Sequence, residues 1–309
     1  FLMTILFPLN FSISKENNSV KHKIIDLYKF YGLTIKDNLV YASSVTANVL
    51  VKINLINYKK SFLYDFDVGW KKSYAKKENF KSLHSADIIN DNLFLTFYHT
   101  NKVIKYDEKN SQVINFIKNT ELEGPSQSIL SRDKNYLIVS EYHGNISKFS
   151  LDGKYLGSFK KILEQNNIQQ PHMIRFDEKY YYVVDTKSKA IFICDENFNV
   201  ISKISDDEID NTIFKNVSFQ APVAISFYGE KFIFVADLTN GIIVLDKKLK
   251  IICQLNGTEI KFKKKIFNIP KIGNAYDVVL HKDNLVIANT SEKNLIILNN
   301  FIQIIEENI

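Results

Sequence analysis

The chain has 309 residues, 45% of them apolar, which is enough to build a full buried core. Its net charge of +6 rests on lysine, with Arg132 and Arg175 the only arginines, so the bidentate readers of nucleic acid are missing and a nucleic-acid partner is not expected. No apolar run reaches the roughly 18 residues that a membrane-spanning helix needs, so no membrane span is expected.

Residues 1–28 open with an apolar stretch that no basic residue precedes. They are read as an N-terminal extension that supplies a closing strand or a cap. The compartment stays open: cytoplasmic by default, exported if a signal sequence precedes Phe1.

From residue 29 one pattern recurs. A strand, a short polar turn and a second strand with a polar end appear at 31–43, 84–97, 125–141, 171–185, 222–237 and 276–289. A third apolar strand follows each copy, at 49–53, 102–106, 145–149, 190–194, 241–245 and 294–298. Fourth strands such as 201–204 and 251–255 complete most copies. Strands in fours, spaced by about 40–50 residues, are the signature of propeller blades. One blade cannot bury both its faces, so blades stack around a ring. The expectation is all-β: a six-bladed β-propeller of four-stranded blades over 29–309, with blades near 29–66, 84–117, 125–160, 171–205, 222–256 and 275–305.

The repeat resembles the NHL family. The resemblance rests on Pro171 before strand one, Ile174 and Phe176 within it, Val183, Val184 and Asp185 closing strand two, and Ile191, Phe192 and Ile193 in strand three. It covers residues 31–305 and is strongest in the third to fifth copies. It implies an NHL-like six-bladed propeller, and it leaves function open, because that family includes lyases, hydrolases and binding platforms.

In a propeller the links from strand four to the next strand one share a face with those from strand two to strand three. Long insertions fall on that face, at 67–83, 160–170, 205–221 and 256–274, which marks it as the functional one. Neutral drift in tolerated loops is the plainer reading. Candidate ligand-binding residues collect there: His84, Tyr98, His99, Gln127, His143, Asp185, Asp237 and Tyr276, with Tyr31, Ser43 and Asn289 beside them. Imidazoles near carboxylates can ligate a metal or move protons. No His-x-x-x-His or Cys-x-x-Cys pair occurs, so a divalent metal, zinc or calcium, would have to be held across blades by His84, His99 and His172. The competing reading is that blade-terminal acids and histidines satisfy backbone N–H groups of the turns, Asp185 and Asp237 above all.

Alternation turns Ile174 and Phe176 into the blade packing and Met173 and Arg175 toward the channel. A guanidinium there needs a partner, and Asp277 and Gln127 occupy inward positions of other blades. Arg175 either pairs with them or binds an anionic group of a ligand.

The inserted loops carry charge in blocks. Segment 67–83 holds five lysines among Trp70, Tyr74 and Phe80, and 256–274 holds Lys261, Lys263, Lys264 and Lys265. Segment 205–221 is acidic, which argues against a uniform anionic partner. Cys194 and Cys253 sit in apolar runs and are expected to be free buried thiols. No glycine-rich phosphate loop or nucleophile elbow is present.

Two functions follow from these residues. The first is a monomeric binding propeller that takes a polar or anionic ligand, a glycan or a protein segment on the loop-rich face. The alternative is a lyase or hydrolase at the channel mouth, with His172 and Glu141 in proton transfer and Arg175 holding the substrate.

Overall fold

Val, Ile, Phe and Tyr alternate with polar residues between Asn, Asp, Lys and Gly turns, and the chain folds as short antiparallel strands. The structure, a computed structural model, describes residues 19–26, 28–65, 81–110, 112–118, 122–210, 214 and 217–309. The lysine- and aromatic-rich part of the 67–83 loop lies outside the described residues.

Strand β1 (His22–Asp26) comes first in the chain but belongs to the last blade. Blade one is β2 (Gly32–Lys36), β3 (Leu39–Ser44), β4 (Val49–Asn54) and β5 (Lys60–Asp65). Blade two is β6 (Leu83–Ile89), β7 (Asn92–Phe97), β8 (Lys102–Asp107) and β9 (Gln112–Lys118). Blade three is β10 (Pro125–Leu130), β11 (Tyr136–Glu141), β12 (Asn145–Ser150) and β13 (Tyr155–Ser158); helix α1 (Lys160–Gln165) follows it. Blade four is β14 (Pro171–Phe176), β15 (Tyr181–Asp185), β16 (Ala190–Cys194) and β17 (Val200–Ile204). Blade five is β18 (Pro222–Tyr228), β19 (Phe232–Asp237), β20 (Gly241–Asp246), β21 (Ile251–Lys261) and β22 (Ile266–Ile272). Blade six is β23 (Ala275–His281), β24 (Asn284–Asn289), β25 (Asn294–Leu298) and, outermost, β1. Helix α2 (Phe301–Glu306) ends the chain.

The inner strands β2, β6, β10, β14, β18 and β23 neighbour one another in that order, and β23 returns to β2. This is a closed six-bladed β-propeller with antiparallel blades. The core lies between blades. Val279, Val286 and Ala288 of blade six pack with Leu33, Val40 and Val51 of blade one, and Ile129, Ile138 and Ile146 of blade three pack with Ile174 and Val183 of blade four. Each such Val, Leu or Ile side chain contributes about 1.5–3 kcal/mol when fully buried, and only a neighbouring blade can bury it.

Closure comes from the sheet itself. β1 pairs with β25 in register from His22 opposite Leu298 to Asp26 opposite Asn294. Ile25 packs inward among Val286, Ala288, Leu295 and Ile297. Just upstream, the Val20 N–H reaches the Asn268 carbonyl of β22, so the N-terminal segment touches blades five and six.

Three local expectations are corrected. Segment 256–274 is not a loop: β21 runs on to Lys261 and turns back as β22, because Ile260, Phe262, Ile269 and Ile272 alternate inward and are buried while the four lysines stay exposed. Blade six does not extend to 305 as strand. Its fourth strand is β1, and Phe301, Ile302 and Ile305 are buried on one side of α2. Phe176 does not enter the blade packing. It is 40% exposed and meets the Tyr181 ring edge-on at 5.7 Å (centroids), because β14 has by then reached the rim of the channel.

Cys194 and Cys253 are free and buried, and burial pushes both thiols up, Cys194 to about 12. Ile25→Ala should lower the unfolding free energy by about 2–4 kcal/mol, since it leaves a cavity at the closing seam. The solvent-facing neighbour Ile24→Ala should cost under about 1 kcal/mol. Urea titration of the two variants, read against the wild type, checks this difference.

Candidate functional site

The channel is shaped by one repeated irregularity. In five blades the second residue of the inner strand is skipped by the ladder, as a β-bulge: His84, Ser126, His172, Val223 and Tyr276. A bulge turns the extra residue out of the sheet plane and leaves its backbone unpaired. Here it aims three rings into the channel and points carbonyls at the preceding blade. Blade one has no bulge; its Gly32 lies so close to blade two that a Cβ would sit 2.7 Å from the His84 carbonyl oxygen.

Side chains of one blade answer the stray carbonyls of the next. The Ser43 hydroxyl donates to the His84 carbonyl (2.6 Å) and His84 Nδ1 to the Ser126 carbonyl (2.7 Å). The Ser126 hydroxyl donates to the His172 carbonyl (2.8 Å) and His172 Nδ1 to the Val223 carbonyl (2.9 Å). Both imidazoles therefore carry the Nδ1 proton, which leaves each Nε2 as an acceptor. Both Nε2 atoms face the Tyr276 hydroxyl, at 2.9 Å for His172 and 3.3 Å for His84. Burial drives both imidazoles toward the neutral form, His84 down to about 4 and His172 to about 3. The three rings close the channel, and the neck beneath them has a volume of only about 10 Å³, room for a single water.

A polar layer lies under the neck. Gln127 donates to Asp87 (3.2 Å) and accepts from the Ile174 N–H (2.9 Å); the Ser85 hydroxyl also donates to Asp87 (3.0 Å). Asp277 accepts the N–H groups of Leu33 and Val278, each at 2.7 Å. Arg175 Nη2 is 4.0 Å from Asp277, and its Nη1 donates to its neighbour's carbonyl, Ile174 O, at 3.3 Å. Burial raises both carboxyls, Asp277 to about 7, against the opposing pull of Arg175. Of the two sequence-suggested partners of Arg175, Asp277 is near it, whereas Gln127 is spent on Asp87 and the backbone. Asp87 was missed, although it occupies in blade two the position that Arg175 holds in blade four.

Above the neck the rings spread outward. Tyr31 stands 4.4 Å from Tyr276, Tyr98 is 6.2 Å from His84, and Tyr142 is 6.0 Å from His172 (ring centroids). Tyr98 and Tyr142 meet edge-on at 5.7 Å, with His99 beside the first and His143 beside the second. Eight rings thus form one continuous surface, fed by blades one, two, three, four and six. Tyr31, Tyr98 and Tyr142 are half-buried, and their hydroxyls have no hydrogen-bond partner among the described residues. Tyr142 escaped the sequence reading; the signal was the repeated pair Tyr98-His99 and Tyr142-His143 after equivalent strands. Gly124 lies between Tyr98 and His143, where a Cβ would come within 2.9 Å of the Tyr98 ring. A cavity of about 500 Å³ opens there, lined by Tyr98, His99, Asn101, Glu123, Gly124 and His143.

Other expected site residues turn elsewhere. Asp237 accepts the N–H groups of Gln220, Ala221, Thr239 and Asn240 (2.8–2.9 Å). Asp185 likewise takes those of Gln169, Gln170 and Ser188. Glu141 accepts from the Glu123 N–H (2.6 Å), Asn145 (2.8 Å) and Ser147 (2.5 Å), and burial raises its carboxyl. These acids tie the turns of strand two to the entry of strand one and do not face the channel mouth with free oxygens. His99 bonds Ser82 and is not gathered with His84 and His172. Among the described residues no group of three or more His, Cys, Asp or Glu could hold a metal ion. His281 lies at the opposite end of the inner strand, 3.0 Å from Asn38, and His22 is in β1.

No family model matches the sequence, and no curated protein matches it significantly. Solved structures do. One is from a nidogen/laminin complex: TM-score 0.58, 15% identity, 81% of this chain and 84% of that one. Another is the WD40 β-propeller domain of Doa1: TM-score 0.56, 9% identity, 87% of this chain and 77% of that one. At such identities they establish the propeller fold alone.

The buried imidazoles have a pH consequence. Their native pKa values lie below the ordinary 6.5, so their share of stability is present above pH 6.5 and is lost as pH falls toward 4 and 3. Asp277 acts in the opposite sense: its raised carboxyl stabilises at low pH, and that share is lost as pH rises through about 7. Long-range 15N–1H spectra at pH 5 should show both imidazoles neutral with the proton on Nδ1; a doubly protonated ring at that pH contradicts the relay. His172→Gln should flatten the acid limb of stability against pH by about one proton.

Proposed function

We propose that this propeller is a non-catalytic binding module of the NHL type that takes a neutral, hydroxyl-rich ligand, a glycan, on its loop-bearing face. The eight-ring surface carries the reading. Half-buried tyrosines offer apolar ring faces to the C–H side of a sugar and unpaired hydroxyls to its polar side, the combination that binding sites favour. Among the described residues no Lys or Arg lines the 500 Å³ cavity beside the rings, and Glu123 does, which supports an uncharged ligand over an anionic one. The match of Pro171, Ile174, Val183 and Asp185 to the NHL repeat supports that assignment.

The catalytic alternative has less support. His172 is spent on Val223 and Tyr276, Glu141 on a turn, and Arg175 lies beneath the neck. A protein segment is the second reading, since one similar propeller is solved in a complex.

A glycan array followed by titration calorimetry of the best saccharide tests the proposal. Tyr142→Ala and Tyr98→Ala should each weaken binding about tenfold, equal to about 1.4 kcal/mol, with thermal unfolding little changed. Failure of every saccharide to bind a folded protein, or wild-type affinity in both variants, refutes it.

A further inference from the structure

The other end of the channel is a different environment. It opens as a funnel of about 420 Å³ whose wall includes Leu33, Ile88, Leu130, Phe176 and Leu280. These come from five of the six inner strands, and blade five contributes Ser226, so the wall is apolar over most of the circumference. At its inner end stand Arg175 and Asp87, which also line the neck, and so separate funnel from neck. The His84, His172 and Tyr276 layer blocks approach from the ring-bearing face, and the Arg175 side chain, 22% exposed, is reached through the funnel.

Hydrogen-bond capacity at this partition is unevenly met. Asp87 accepts from Gln127 and Ser85, and Asp277 from two backbone N–H groups. Each of the four carboxyl oxygens therefore accepts one of these bonds, about half of its capacity. Arg175 has five N–H donors, and among the described residues it makes one bond, 3.3 Å to Ile174 O, and one ion contact at 4.0 Å. The larger unfilled share is donor capacity, on Arg175 at the base of the funnel, so a carboxylate would find a free guanidinium edge; the lone pairs left on Asp87 make a cation the competing occupant.

We propose that the funnel binds an aliphatic monocarboxylate, its carboxylate on Arg175 and its chain along the apolar wall. The volume falls in the range of about 300–1,000 Å³ usual for small-molecule sites, and an apolar lining with one polar anchor is their usual make-up. This site is separate from the ring surface on the opposite face and does not depend on what binds there.

Calorimetry on the full chain with decanoate, decanol and decylamine tests it. Decanoate is expected to bind with a stoichiometry near one, about tenfold or more tighter than decanol. Arg175→Gln should abolish that preference, and Arg175→Lys should keep part of it, a point charge replacing a bidentate fork. Phe176 is 40% exposed, so Phe176→Ser leaves the core intact and should weaken decanoate about threefold, even if the arginine variants fail to fold. Decanol binding as tightly as decanoate, decylamine binding more tightly, or an unchanged affinity in Phe176→Ser overturns the proposal.

Discussion

The ring depends on a single recurring constraint: backbone groups freed by a bulge in one blade must be satisfied by the blade before it. An unpaired carbonyl or N–H at the channel wall would cost about 1–3 kcal/mol each. Ser43, His84, Ser126 and His172 remove that cost in succession, each reaching forward by one blade. Gln127 and Asp277 do the same for Ile174 and Leu33 one layer down. The apolar seams hold blades together by area, but these bonds set the angular position of each inner strand.

The same relay decides which polar residues are free to work. An imidazole with Nδ1 on a carbonyl and Nε2 on a buried phenol has no valence left for a metal or a substrate proton. The acids that end strand two are consumed by turns in a parallel way, with Asp237 accepting four backbone N–H groups. What remains available on the loop-bearing face is aromatic: Tyr31, Tyr98 and Tyr142, with His99 and His143 at the edge. Blade five adds only Val223 at the matching position, so the ring surface is lopsided toward blades two and three.

Polarity also runs along the axis. Neutral rings cap one end, two carboxylates and a guanidinium occupy the middle, and aliphatic residues flare at the far end. The narrow neck keeps these environments apart, so each face offers its own chemistry.

Much of this was written in the amino-acid order. Strand periodicity and spacing determined six blades, their first three strands to within a residue or two, buried thiols and the side of the ring where polar residues gather, because alternation and turn chemistry act locally. The shared face of His84, His172 and Tyr276 was legible for the same reason. Their meeting at one hydroxyl was not, since those residues lie 88 and 104 positions apart and only ring closure brings them together. For residues 1–28 the sequence left a closing strand and a cap both open, and only the pairing of β1 with β25 decides for the strand. Tertiary structure alone decided which polar atoms were already satisfied, because a hydrogen bond is a pairing across blades and sequence spacing carries no record of its other half.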